Sequence, residues 1–102
     1  MREQTEDSLT ITAFQQHIAE RYAKVDRERG WAKTFPYFIE EVGELATALT
    51  REAKTPEDRE NLEEEFADVI AWLCTLANIT GVDLSAALTR KYLGENRPSG
   101  HK

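Results

Sequence analysis

Cysteine is nearly absent. Cys74 is the only one in 102 residues, so no intramolecular disulfide can form, and a reducing, cytoplasmic setting is expected. It falls in the apolar run Val69 to Leu76 and reads as a small core residue, with no histidine near it in sequence to activate a thiol. Histidine is almost as scarce. His17 reads as an exposed helix residue, and neither it nor His101 follows a glutamate at the Glu-x-x-His spacing of di-iron bundles. Zinc, iron and redox chemistry are disfavoured with it. Long apolar runs are missing too. Met1 to Asp7 lacks the apolar stretch of a signal peptide. The charge-free region Val69 to Val82 is interrupted by Thr75, Asn78, Thr80 and Gly81, short of the about 20 predominantly apolar residues of a membrane span. A soluble protein with no membrane partner is expected. Basic residues are outnumbered: 13 Lys and Arg against 19 Asp and Glu give a net charge of −6. That argues against the basic face by which proteins hold nucleic acid. A small phosphorylated ligand stays open, provided a cation mediates.

What is present suits one compact domain, with 40% hydrophobic and 31% charged residues. A chain of this length buries roughly two thirds of its unfolded surface, which leaves any deep cleft to be built between subunits. Punctuation predicts four helical segments. The first begins near Thr10 to Thr12, where Thr12-Ala13-Phe14-Gln15 fits a capping box. It carries Phe14, Ile18, Tyr22 and Val25 as an apolar stripe and ends at Gly30. The second should start around Thr34 to Pro36 and run to about Ala53, with Phe35, Phe38, Ile39, Val42, Leu45, Ala46 and Leu49 as its apolar arc. Thr55-Pro56-Glu57-Asp58 starts the third, which stops before Gly81. Asp83 caps a fourth over Leu84 to Leu93, and residues 94–102 read as a flexible tail. No stretch alternates like a strand. The class is all-α, with a helical core over about 10–93.

Two acidic clusters stand out. Glu40, Glu41 and Glu44 lie within one and a half helical turns, and Glu65 and Asp68 repeat the pairing at i, i+3 beside Glu63 and Glu64. No lysine or arginine occurs between Lys33 and Arg51, or between Arg59 and Arg90. A solvated helix face usually interleaves signs, so something else should neutralise these acids. Glu65 sits beside Val69, Trp72 and Leu76 on the helical wheel, where desolvation is expected, and buried charges are paired or bind a metal. The wheel is less decisive for Glu40, Glu41 and Glu44, which fall opposite the apolar arc. Carboxylate pairs from two antiparallel helices make an all-oxygen cage, which selects a hard cation such as Mg²⁺. The apolar run after Asp68 exceeds what four short helices cover, so a homodimer or homotetramer is expected, with Trp72 reading as subunit-interface core ahead of a base contact.

Glu-Glu-x-x-Glu at Glu40, Glu41 and Glu44, followed by Glu-x-x-Asp at Glu65 and Asp68, resembles the signature of the MazG family of all-α nucleoside triphosphate pyrophosphohydrolases. Glu28-Arg29-Gly30-Trp31, Gly43-Glu44-Leu45-Ala46 and Ala87-Leu88 to Lys91-Tyr92 are similar as well, so the resemblance spans about Phe14 to Tyr92. It implies hydrolysis of an NTP or dNTP to the monophosphate and pyrophosphate, in a nucleotide-pool house-cleaning role. Glu41, Glu44, Glu65 and Asp68 would hold Mg²⁺, with Mn²⁺ as a substitute. Glu40 would be a further ligand or would orient the attacking water, and one carboxylate, Glu40 or Glu41, would act as general base. Trp31 suits stacking on a nucleobase or plugging the junction of the first two helices. Lys91 and Arg97 suit phosphate binding or are surface cations. Two other readings remain open: a non-catalytic helical oligomeric module with a structural ion, and a phosphoribosyl-ATP pyrophosphohydrolase of the same superfamily.

Overall fold

The computed structural model describes residues 8–94, and these form an all-helical fold. Helix α1 spans Ile11–Thr50, α2 spans Pro56–Thr80, and α3 (Leu84–Leu88) passes directly into a π-helical turn, Thr89–Leu93. The expected tail lies, beyond Gly94, outside the described residues.

The first two expected segments are one element bent at Gly30, whose φ of 79° and ψ of 165° are open essentially to glycine alone. Because this single residue makes the whole turn, the second segment restarts at once instead of at Thr34 to Pro36. Pro36 therefore lies inside the helix, where its missing N–H leaves the Ala32 carbonyl without its ordinary partner. The Thr34 hydroxyl donates to the Gly30 carbonyl at 2.6 Å and fastens the turn.

The N-terminal cap also differs from expectation. Thr10, not Thr12, accepts from the Ala13 N–H at 3.0 Å. Gln15 serves tertiary structure instead of a capping box. Its amide donates to Asn78 and to the Val82 carbonyl, and its oxygen accepts from the Leu84 N–H. Thr55, with Pro56 at the first position, caps α2 as the local signals require, and Gly81 ends it in the left-handed conformation. The Asp83 carboxylate accepts from the Ala86 N–H to start α3.

Helix α1 runs antiparallel along α2. Gln15 meets Asn78, Tyr37 meets Trp72, and Arg51 meets Asn61. The fully buried apolar set is small: Ile18, Ala48, Cys74 and Ala77. Cys74 is core, as expected, and burial pushes its thiol pKa up.

The larger surprise is which face of the second arm looks inward. Thr34 and Ala48 are buried and Phe38, Glu41 and Leu45 half-buried, whereas Phe35, Ile39, Val42 and Leu49 of the apolar arc are exposed. On α2, Phe66, Ile70 and Leu73 form a second exposed stripe. Within one chain α2 packs along one edge of that arc, where Phe38 and Leu45 lie with Thr34, Glu41 and Ala48, and leaves the rest of it outward. Among the described residues no single helix is long and apolar enough to cross a membrane.

Candidate active site

The inward turn of α1 carries Glu41 toward α2. Carboxylate oxygens of Glu41, Glu44 and Glu65 lie within 4.8 Å of one another. Glu41 and Glu44 share a face by their i, i+3 spacing, and Glu65 meets them from the antiparallel helix. Asp68, one turn beyond Glu65, and Glu40, beside Glu41, are exposed and outside this triad. Their charges still reach it. Burial first, then Glu44, Asp68, Glu65 and Glu40 in falling order, hold the Glu41 carboxyl above its usual pKa.

Oε1 of Glu41 and Oε1 of Glu65 are buried with no hydrogen-bond donor. Buried oxygens in a native fold find a partner, and a hard cation would supply one to both. The donor set, all oxygen from close carboxylates, fits Mg²⁺ or Mn²⁺ and not a thiolate- or imidazole-seeking metal.

Two residues that the sequence did not single out border the acids. Arg51 donates to the Asn61 side-chain oxygen at 3.1 Å, and the Asn61 amide reaches Glu65 Oε2 at 3.4 Å. Together with Glu44, Thr47 and Glu65 they line a cleft of 230 Å³. In sequence Arg51 marks only the end of a cation-free stretch. Nothing local shows that it folds back over α2.

The two tryptophans differ in their surroundings. Trp31 is 60% exposed beside the Gly30 bend and does not plug the junction. Trp72 has partners within its own chain: it stacks on Tyr37, with centroids 5.4 Å apart, beneath the Arg29 guanidinium at 5.4 Å. Lys91 lies in the π-helical turn with its ammonium 5.4 Å from the Tyr92 ring centroid. Arg97 lies outside the described residues.

The family described as MazG nucleotide pyrophosphohydrolase domain matches residues 29–93, a stretch that begins at Arg29 and holds all five acids. A comparison with curated proteins returns no match.

Proposed function

Because this chain belongs to the MazG nucleotide pyrophosphohydrolase family, we propose that it hydrolyses a nucleoside triphosphate, NTP or dNTP, to the monophosphate and pyrophosphate in the cytoplasm. Nucleotide-pool house-cleaning is the role that such a reaction suits. The observation that carries the site is the meeting of Glu41, Glu44 and Glu65 within 4.8 Å around two buried, unpartnered oxygens. With Asp68, these residues would hold Mg²⁺, or Mn²⁺ in its place. When bound, the ion supplies Lewis-acid contact to phosphate oxygens and offsets the charge that develops on them.

The chain's own part is positioning and proton transfer. Glu40, solvent-facing and next to Glu41, orients a water toward one phosphorus flanking the α–β bridge and accepts its proton. The water oxygen bonds to that phosphorus, the bridging P–O bond breaks, and the electron pair leaves with the departing phosphate. Glu41 is the alternative base in this reading. Arg51, held by Asn61 at the rim, gives the polyphosphate a cation that the acids lack. Lys91, Arg97 and the exposed face of Trp31 are the remaining substrate contacts in this reading.

Assembly is part of the proposal. Phe35, Ile39, Val42 and Leu49 on α1, and Phe66, Ile70 and Leu73 on α2, offer apolar stripes for a second copy. A homodimer or homotetramer would bury them.

The test is product analysis on a panel of NTPs and dNTPs with and without Mg²⁺. Monophosphate and pyrophosphate are expected from at least one substrate, with loss of turnover in Glu41→Gln. Orthophosphate with a diphosphate product would overturn the reaction. No turnover on any substrate would leave a non-catalytic helical module.

A further inference from the structure

The cleft beside the acids holds one cation. Arg51 lines it together with Glu44, Thr47, Asn61 and Glu65, so two of its neighbours are carboxylates of the site. An arginine so placed ordinarily closes onto a carboxylate in a charge-assisted, often bidentate pair. Here it does not. The ion pairs among the described residues are Arg29–Asp26, Lys54–Glu52 and Arg59–Glu63, and none includes Arg51.

Asn61 stands between the charges. Arg51 Nη1 donates to Asn61 Oδ1 at 3.1 Å, and Asn61 Nδ2 donates to Glu65 Oε2 at 3.4 Å. Glu65 thus meets a neutral group instead of a guanidinium, and its Oε1 is left with no donor at all. An amide serves both sides because it accepts through oxygen and donates through nitrogen. An aspartate could take the cation but would offer Glu65 no N–H. Asn61 and Glu65 are one turn apart on α2, about 6 Å along the axis, a gap that the arginine side chain spans once the amide is gone.

The backbone keeps Arg51 within reach. It caps the C-terminus of α1, with its N–H on the Ala48 carbonyl at 3.1 Å. Glu52 and Ala53 follow at φ of 57° and 49°. Non-glycine residues are uncommon in that left-handed region and strained there. The turn they make sends the chain back along α1 and leaves Arg51 facing Asn61.

We propose that Asn61 is a positioning residue that keeps Arg51 off Glu65 and Glu44, so that both carboxylates stay open to a divalent cation. A direct Arg51–Glu65 pair would occupy an oxygen that the ion needs and set a like charge beside it. The inference rests on the metal-holding reading of the acids and not on which substrate is hydrolysed.

The test is titration with Mn²⁺ alone, followed by calorimetry and by electron paramagnetic resonance, in the parent, Asn61→Ala, Arg51→Ala and the double variant. Thermal unfolding in EDTA accompanies it. Alanine is a better helix former than asparagine, so the helix should survive. Should Asn61→Ala fail to fold, Asn61→Ser, too short to span both partners, carries the same comparison. In Asn61→Ala the Mn²⁺ Kd should rise by about tenfold, as on loss of an outer-shell partner. Its melting temperature in EDTA should match or exceed that of the parent, because the new ion pair relieves repulsion among the acids. Arg51→Ala should bind Mn²⁺ at least as tightly as the parent. Removing Arg51 from Asn61→Ala should return the Kd to within about threefold of the Arg51→Ala value, the non-additivity expected of residues in contact.

A double variant as weak as Asn61→Ala would mean that the asparagine acts only by orienting Glu65. An unchanged Kd in Asn61→Ala would mean that Arg51 does not close on the acids. Either result overturns the proposal and leaves the metal site standing. Absence of saturable Mn²⁺ binding in the parent would remove the metal reading itself, and this inference with it.

Discussion

A carboxylate oxygen of Glu41 on α1 and one of Glu65 on α2 lie within 4.8 Å of each other, and each residue keeps an Oε1 atom buried with no donor. No lysine or arginine forms an ion pair with either among the described residues. Two like charges held so close raise the energy of the metal-free fold, and a divalent cation removes that cost.

The first prediction follows from this pair. In EDTA, Glu65→Gln should be at least as stable as the parent, because the substitution removes repulsion and keeps the shape. Mg²⁺ should raise the parent's melting temperature, since a ligand confined to the folded state stabilises it by about 2.7 kcal/mol at one hundred times its Kd. That corresponds to an increase of order 10 °C or more for a domain of this size. The variant should respond far less. Thermal unfolding in EDTA, Mg²⁺ and NaCl of matched ionic strength makes the comparison, and coincident Mg²⁺ and NaCl curves for the parent would mean that no metal is held.

The second concerns pH without metal. Burial, followed by the charges of Glu44, Asp68, Glu65 and Glu40, raises the Glu41 pKa in the folded protein. Between the unfolded and the raised folded value, the native state binds more protons than the unfolded chain. Stability from this group therefore falls as pH rises through that window and returns as pH drops. In EDTA, the melting temperature of the parent relative to Glu41→Gln should increase as pH is lowered from about 7 to about 5. A constant difference across that range would show that Glu41 titrates normally.

Gly30 supplies the third. A Cβ there meets nothing within 4 Å, so Gly30→Ala introduces no clash, only the strain of a φ of +79°. The expected loss is about 1–3 kcal/mol in urea unfolding. The bend also sets Arg29 over Trp72, so the near-ultraviolet circular dichroism of the tryptophans should change. Full stability in the variant would argue that the turn relaxes to a conformation open to other residues.

The fourth tests assembly. Ile39 and Ile70 are 48% and 44% exposed on the two apolar stripes. If a second copy covers them, Ile39→Glu or Ile70→Glu should convert the oligomer to monomer in light scattering at micromolar concentration, through the buried unpaired charge. A parent that is already monomeric at that concentration would contradict the expectation directly.

The elements and the chemistry on offer are legible in the local sequence. Thr55-Pro56 and Gly81 bound α2 through capping and backbone freedom, effects confined to a few neighbouring residues and hence readable from them. The same holds for the break at Gly30 and for the pairing of acids at i, i+3. Tertiary structure alone decided which side of the second α1 arm faces α2. The wheel placed Glu41 opposite the apolar arc, yet Glu41 turns inward and Ile39 and Val42 outward, because the partner surface and not the local pattern selects the buried face. Likewise, Arg51 reaches Asn61 and Arg29 covers Trp72 only after the antiparallel register of α1 on α2 is set. Contacts between residues far apart in sequence carry no local periodicity, so only the folded chain brings them together.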